Sequence, residues 1–338
     1  MLHPLRLIPI ALGALLAACS SSPPPPRASA APADADATAI IAAPAPHDTD
    51  SAGDDANDQR FSSYALANTE VREIRSDRLG RRYPLLVSLP RDYATSGSKR
   101  YPVLFITDVN YAFPLVRSIG AMVGDKGAGL EDFLLVGLGY ADGDSPPYSR
   151  RRDYTPTRNG PRNAAPDESG RPPLHGEAES YRRFVAEEVF PFVEANYRAD
   201  SARRIFAGHS YGALFGAHVL LTEPAMFERY VLSSPSLWFD QRVMFERERR
   251  YAATHADLPA KVFLSIGSYE TLAPKSGDPR YSRTRDMIAD LRAFETQLKA
   301  RRYPGLQIES IVVPGEDHLS AYPVAITRGL RWALPAPR

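Results

Sequence analysis

The chain has 338 residues, enough for one large domain or two ordinary ones, and its 43% hydrophobic and 24% charged content marks a globular protein rather than a fibrous or wholly disordered one. A formal net charge of +1 excludes recognition of nucleic acid, or of an acidic surface, by bulk electrostatics. The densest basic cluster is Arg150-Arg151-Arg152, too short to alter that conclusion.

The first elements in the chain are targeting ones. His3 and Arg6 form a short polar stretch, and Leu7 to Ala18 is an apolar run too short to span a bilayer. Cys19 is the only cysteine, so it has no partner for an internal disulfide. Leu16-Ala17-Ala18-Cys19 resembles a lipobox, the site at which bacterial lipoprotein signal peptides are cut and the cysteine acylated. That resemblance implies a signal peptide over residues 1–18, a lipid anchor on Cys19 and a place on the periplasmic side of the cell envelope. Ser20 stands where an inner-membrane retention signal has Asp, which implies the outer membrane. An ordinary signal peptide with an incidental cysteine is the plainer alternative. Residues 19–60, with Pro23 to Pro26 and Ala/Pro/Ser/Asp repeats, lack the large apolar side chains needed to offset ordering entropy, so they read as a tether. The folded domain is then residues 61–338.

Within that domain, apolar runs alternate with helical periods. Arg82 to Leu89, Val103 to Thr107, Phe133 to Gly139 and Ile205 to Ala207 read as strands, followed by Tyr230 to Ser233, Val262 to Ile266 and Ile308 to Val313. Uninterrupted apolar runs suit strands buried on both faces of a parallel sheet. Tyr181 to Asn196 carries an apolar helical stripe with an expected kink at Pro191, and Arg285 to Ala300 carries another. Tyr211 to Leu221 and Leu319 to Trp332 are further helices. The alternation predicts an α/β fold with a doubly wound, mostly parallel sheet and helices on both faces. Asp142 to Glu177 breaks the pattern, being rich in Pro, Gly, Asn and Arg; a lid or pocket wall is one reading of it and plain disorder the other.

Gly208-His209-Ser210-Tyr211-Gly212 matches G-x-S-x-G between a short apolar strand and a helix, the setting of a nucleophile elbow. The strained turn needs small residues beside it, and Gly208, Gly212 and Ala213 supply them. Ser210 is the expected nucleophile. Of seven histidines, His318 alone lies after the last strand and before the last helix, where the order Ser, acid, His puts the base. The acid belongs on the loop after Val262 to Ile266, which makes Glu270 the choice, with Asp278 and Asp286 as rivals and an acid-free Ser–His pair also possible. Asp317 adjoins His318 and is poorly placed to orient it. One oxyanion donor is expected from the N–H of Tyr211, and the other from Asn110 or Val109. No Cys/His/carboxylate cluster has ligand spacing, so neither metal nor redox cofactor is called for.

With those residues in place, the chain resembles the putative esterase family of α/β-hydrolases, and within it the esterases that open siderophore trilactones. The resemblance runs from about Val71 to Leu334. It rests on Tyr101 to Asp108 with Asn110, Arg152-Asp153-Tyr154-Thr155-Pro156, Phe184 to Tyr197, Ala207 to Ala213, Ser233 to Trp238 and Gly315 to His318. It implies a cofactor-free serine hydrolase acting on a small-molecule ester through an acyl-Ser210 intermediate. Where the family reads Leu-Asp-Gly in the oxyanion loop, this chain has Thr107-Asp108-Val109, a bulkier residue that could shift the loop. The siderophore group relies largely on Ser and His, which weakens the case for Glu270. The Arg-Asp-Tyr-Thr-Pro segment resembles a pocket edge, so Arg151 or Arg152 is expected either to meet an anionic substrate group or to pair with Asp153. Trp238 and Phe239 are candidates to line the pocket. An acyltransferase with the same triad and a ligand-binding lipoprotein without turnover are the alternatives to hydrolysis.

Overall fold

The computed structural model describes residues 64–124, 129–161 and 164–336. The signal peptide, Cys19 and the tether lie outside them. Eight strands form one sheet: β1 (Thr69–Ser76), β2 (Arg81–Ser88), β3 (Tyr101–Ile106), β4 (Leu134–Leu138), β5 (Ala199–His209), β6 (Arg229–Ser233), β7 (Lys261–Gly267) and β8 (Gln307–Val313). Their spatial order is β1-β2-β4-β3-β5-β6-β7-β8. The β1–β2 and β2–β4 pairings are antiparallel, and every pairing from β4 through β8 is parallel. This is the α/β-hydrolase arrangement.

Helices cover both faces of the sheet, as buried parallel strands require. Along β5 the side chains alternate. Ile205 and Ala207 pack with α1 (Val109–Ile119) and α8 (Ala321–Ala333), while Phe206 packs on the opposite face. There it meets α5 (Tyr211–Leu220) through Phe215, in a layer that also includes α3 (Ala178–Phe184), α4 (Phe190–Asn196), α6 (Phe239–Thr254) and α7 (Met287–Ala300). Phe105, Phe190, Phe206, Phe215 and Phe227 form a chain of tilted and edge-on ring contacts in that layer, the arrangement aromatic quadrupoles favour.

Several elements depart from expectation. The kink anticipated at Pro191 is a π-helical turn, Val185–Val189, placed just before it. The Phe190 N–H reaches back five residues to the Val185 carbonyl, a shift that absorbs the donor Pro191 lacks. β1 was not anticipated. The connection from Asp142 to Glu177 is not structureless: it begins with α2 (Pro146–Tyr154), whose Ser149, Arg150, Arg151, Arg152 and Asp153 are all buried. Arg151 Nη1 donates to the Ala165 carbonyl at 2.7 Å and so ties the later part of the connection back to α2.

Candidate active site

Parallel strands bring their C-terminal ends to one edge, where α/β folds place their sites. β5 ends at His209, and Ser210 then adopts φ 56° and ψ −115° before α5 begins at Tyr211. A side chain pays a conformational cost in that region, and only a tightly packed turn holds it there. A Cβ on Gly208 would lie 2.5 Å from the Gly212 carbonyl carbon, and one on Gly212 would lie 2.1 Å from Thr107 Oγ1. Both glycines are therefore required, as the motif predicts.

The other two residues arrive on loops from neighbouring strands. His318 follows β8, and its Nε2 lies 3.0 Å from Ser210 Oγ. Glu270 follows β7; its Oε2 lies 2.7 Å from His318 Nδ1, and its side chain is buried. Glu270 Oε1 accepts hydrogen bonds from Ser234 Oγ (2.6 Å) and the Gly267 N–H (2.8 Å). With Nδ1–H donated to the carboxylate, Nε2 is free to accept the serine proton. The rivals are engaged elsewhere. Asp278 pairs with Arg280, and Asp286 caps α7 through the Ala289 N–H. Asp317 accepts from the N–H groups of Leu319 and Ser320.

Residues that the sequence reading left without a role complete the arrangement. Ser236 Oγ lies 3.3 Å from Ser210 Oγ. The His209 ring packs 4.7 Å from that of His318, centroid to centroid, and 5.3 Å from Tyr322. Burial above all, then the neighbouring His318 and Arg150, holds the His209 pKa well below the ordinary histidine value. It is thus a neutral plate behind the base. The Ser233 to Trp238 run carried the signal for Ser234 and Ser236, but no spacing rule assigns their contacts.

The start of α1 lies beside the elbow, since a Cβ on Gly212 would also stand 2.9 Å from Asp108 Oδ2. Asp108 is the N-terminal boundary of α1 with φ 60°, and Asn110, exposed, is that helix's second residue. Val109 is accommodated because it packs over Gly137 of β4, where a Cβ would come within 2.7 Å of its Cγ1. The Asp108 carboxylate is buried and accepts from Arg150 Nε (2.5 Å), Tyr140 Oη (3.1 Å) and Thr107 Oγ1 (3.3 Å). Burial opposes the Arg150 charge, but the carboxylate at contact distance outweighs it and the guanidinium stays charged. The same guanidinium lies 5.8 Å from the centre of the Tyr211 ring.

Of the two roles expected for Arg152, the structure shows the pairing with Asp153. Its guanidinium donates to Asp153 at 2.7 and 2.9 Å and to Asp144 at 2.5 Å, and the residue is buried. A charge left in the interior must be paired, and these two carboxylates consume it. Trp238 does line a cleft, of about 600 Å³, together with Asn159, Gly160 and Pro161 from the connection after α2. The described part of that connection thus contributes a pocket wall.

Comparison with known proteins agrees with this fold. Residues 76–331 match the family described as Putative esterase. The chain is 29% identical over 287 residues to the ferri-bacillibactin esterase BesA of Bacillus subtilis, covering 83% of this chain and 94% of that protein. Among solved structures, the BES protein from Bacillus cereus superposes with a TM-score of 0.66 at 26% identity, covering 81% of this chain and 98% of that one. The siderophore hydrolase EstA from Aspergillus nidulans gives a TM-score of 0.60 at 26% identity over 80% of this chain and 97% of its own.

Proposed function

The chain belongs to the putative esterase family and is a serine hydrolase of carboxylic esters, and from that premise we propose that Ser210, His318 and Glu270 carry the reaction. The observation that supports this reading is a single imidazole bridging Ser210 Oγ at 3.0 Å and the Glu270 carboxylate at 2.7 Å. His318 takes the Ser210 proton as Oγ attacks the ester carbonyl, and Glu270 stabilises the imidazolium that forms. The N–H groups of Tyr211 and Asn110 stabilise the oxyanion. The alcohol leaves with the proton from His318, and a water deprotonated by His318 then releases the acid from acyl-Ser210.

The substrate in this reading is an ester within an iron-chelating siderophore, such as a cyclic trilactone. The similarity to BesA, a ferri-bacillibactin esterase, and EstA, a siderophore hydrolase, supports it, as does the wide cleft beside Trp238. We further propose that Cys19 is lipidated and anchors the enzyme on the periplasmic side of the envelope; the lipobox-like Leu16-Ala17-Ala18-Cys19 supports that. Cys19→Ser should then move the protein from the membrane to the soluble fraction, and unchanged fractionation would refute the anchor.

A fluorophosphonate probe tests the catalytic reading directly. The purified protein should gain an adduct on Ser210, mapped by mass spectrometry, and His318→Ala should lose it. A folded protein that takes no label would overturn the assignment.

A further inference from the structure

The turn after β6 reaches the nucleophile, the acid and the ring behind the base with three serine hydroxyls. Ser233 Oγ lies 3.2 Å from Nδ1 of His209, whose ring backs His318. Ser234 Oγ donates to Glu270 Oε1 at 2.6 Å, and Ser236 Oγ lies 3.3 Å from Ser210 Oγ. The turn is itself firmly held. Ser234 is left-handed, with φ 46°, and its N–H donates to the Ser265 carbonyl at 2.7 Å. The Ser236 N–H donates to the Ser210 carbonyl at 3.3 Å. A serine in the left-handed region persists only where neighbouring contacts fix it.

Proton supply sets the direction of the Ser236 contact. With Nδ1–H of His318 facing Glu270, Nε2 is an acceptor and takes the hydrogen bond of the single Ser210 proton. Ser210 Oγ then offers only lone pairs to Ser236, and Ser236 is the donor. Ser236 is buried, and Ser210 Oγ is the one hydrogen-bond partner of its hydroxyl among the described residues. Two hydroxyls usually sit about 2.7–2.8 Å apart, so this bond has room to tighten as charge grows on Oγ.

We propose that Ser236 is a further catalytic residue whose hydroxyl assists deacylation by donating to Ser210 Oγ as that oxygen leaves. That role rests on the acyl-Ser210 reading above and deepens it. In the acyl-enzyme Oγ is an ester oxygen and a poor acceptor. A water that gives its proton to His318 adds to the acyl carbon. The bond between that carbon and Oγ then breaks, its electron pair stays on Oγ, and the His318 imidazolium returns the proton there. Ser236 keeps its own proton throughout. Oγ becomes a strong acceptor only as the bond breaks, so the Ser236 hydrogen bond is stronger in this transition state than in the acyl-enzyme, and only such a difference accelerates a step. The gain in acylation is smaller, because the free Oγ is a good acceptor from the start.

With p-nitrophenyl butyrate and the full chain the two half-reactions can be followed apart. Nitrophenolate released in the first turnover reports acylation, and the intact mass of quenched enzyme reports the decay of butyryl-Ser210. Ser236→Ala should slow that decay about tenfold or more, so that the acyl-enzyme accumulates, while first-turnover release stays within about threefold of wild type. An equal fall in both half-reactions would make Ser236 a packing residue of the elbow, and an unchanged decay would leave it no part in the chemistry; either result overturns the proposal. Fluorophosphonate labelling needs no deacylation and reads the fold and the triad separately. A Ser236→Ala protein that labels like wild type and deacylates normally removes only the role of Ser236, whereas an unlabelled wild type removes the catalytic reading.

Discussion

Glu270 accepts on both carboxylate oxygens, from Ser234 and Gly267 on Oε1 and facing His318 on Oε2. In Glu270→Gln the carbonyl oxygen stays with the two fixed donors, so the NH₂ turns toward His318 Nδ1. That forces the proton onto Nε2, the wrong tautomer for accepting one from Ser210. We expect kcat to fall roughly 10³–10⁴-fold with the fold intact, measured by ester hydrolysis alongside thermal unfolding. A loss under tenfold would make the pair Ser210–His318 sufficient, the situation that the resemblance to the siderophore group implies. In the proposed mechanism Arg150 acts on the same centre without touching it. Its ion pair with Asp108 holds a left-handed residue at the head of α1 and so positions the Asn110 N–H. Arg150→Met should lower kcat about a hundredfold, the scale of one oxyanion donor, with KM changed far less. A variant with KM raised and kcat intact would remove that positioning role.

The elements that could be read from the sequence are those whose burial is apolar. β2 through β7 declare themselves through apolar runs such as Leu134 to Leu138, buried at every position, and the edge strand β8 through its apolar end, Ile311 to Val313. β1 escapes because it is an edge strand: Arg72, Glu73 and Arg75 are exposed, and only Ile74 and Ser76 are buried. α2 escapes for the opposite reason. It is buried through charges, with Arg150 serving Asp108 and Arg152 serving Asp153 and Asp144, so no apolar stripe marks it. α6 is obscured at its start by three left-handed residues that no helical periodicity anticipates. The site divides in the same way. Ser210 and His318 stand in motifs with fixed places in the chain order, and Glu270 follows from its strand. For Arg152 the sequence left two roles open, a substrate contact or a pair with Asp153, because it shows a cation but not which carboxylates fold against it.

Among the described residues, two buried histidines, His209 and His218, make the fold sensitive to mild acid. His209 is held neutral by burial first and then by His318 and Arg150; His218 by burial first and then by Arg247, against the pull of Glu179. In the unfolded chain both titrate near the ordinary value of about 6.5. Below that pH the unfolded state binds more protons than the native one, so stability is complete above about pH 6.5 and is lost as pH falls toward the depressed native values. Each histidine contributes a slope of up to about 1.4 kcal/mol per pH unit in that window. Urea midpoints at pH 7.5, 6.5 and 5.5 should therefore decline, and a flat series would show that the imidazoles are solvated.

The order of the strands also fixes when the enzyme becomes armed. Ser210 lies after β5 and can reach its strained turn once β3, β5 and β6 have paired, but His318 follows β8, the last strand of the sheet. A chain emerging from the ribosome thus displays its nucleophile more than a hundred residues before its base, as the 108-residue separation of Ser210 and His318 requires. Until β8 docks on β7, that serine is an ordinary alcohol, and the growing chain is harmless to every ester it meets.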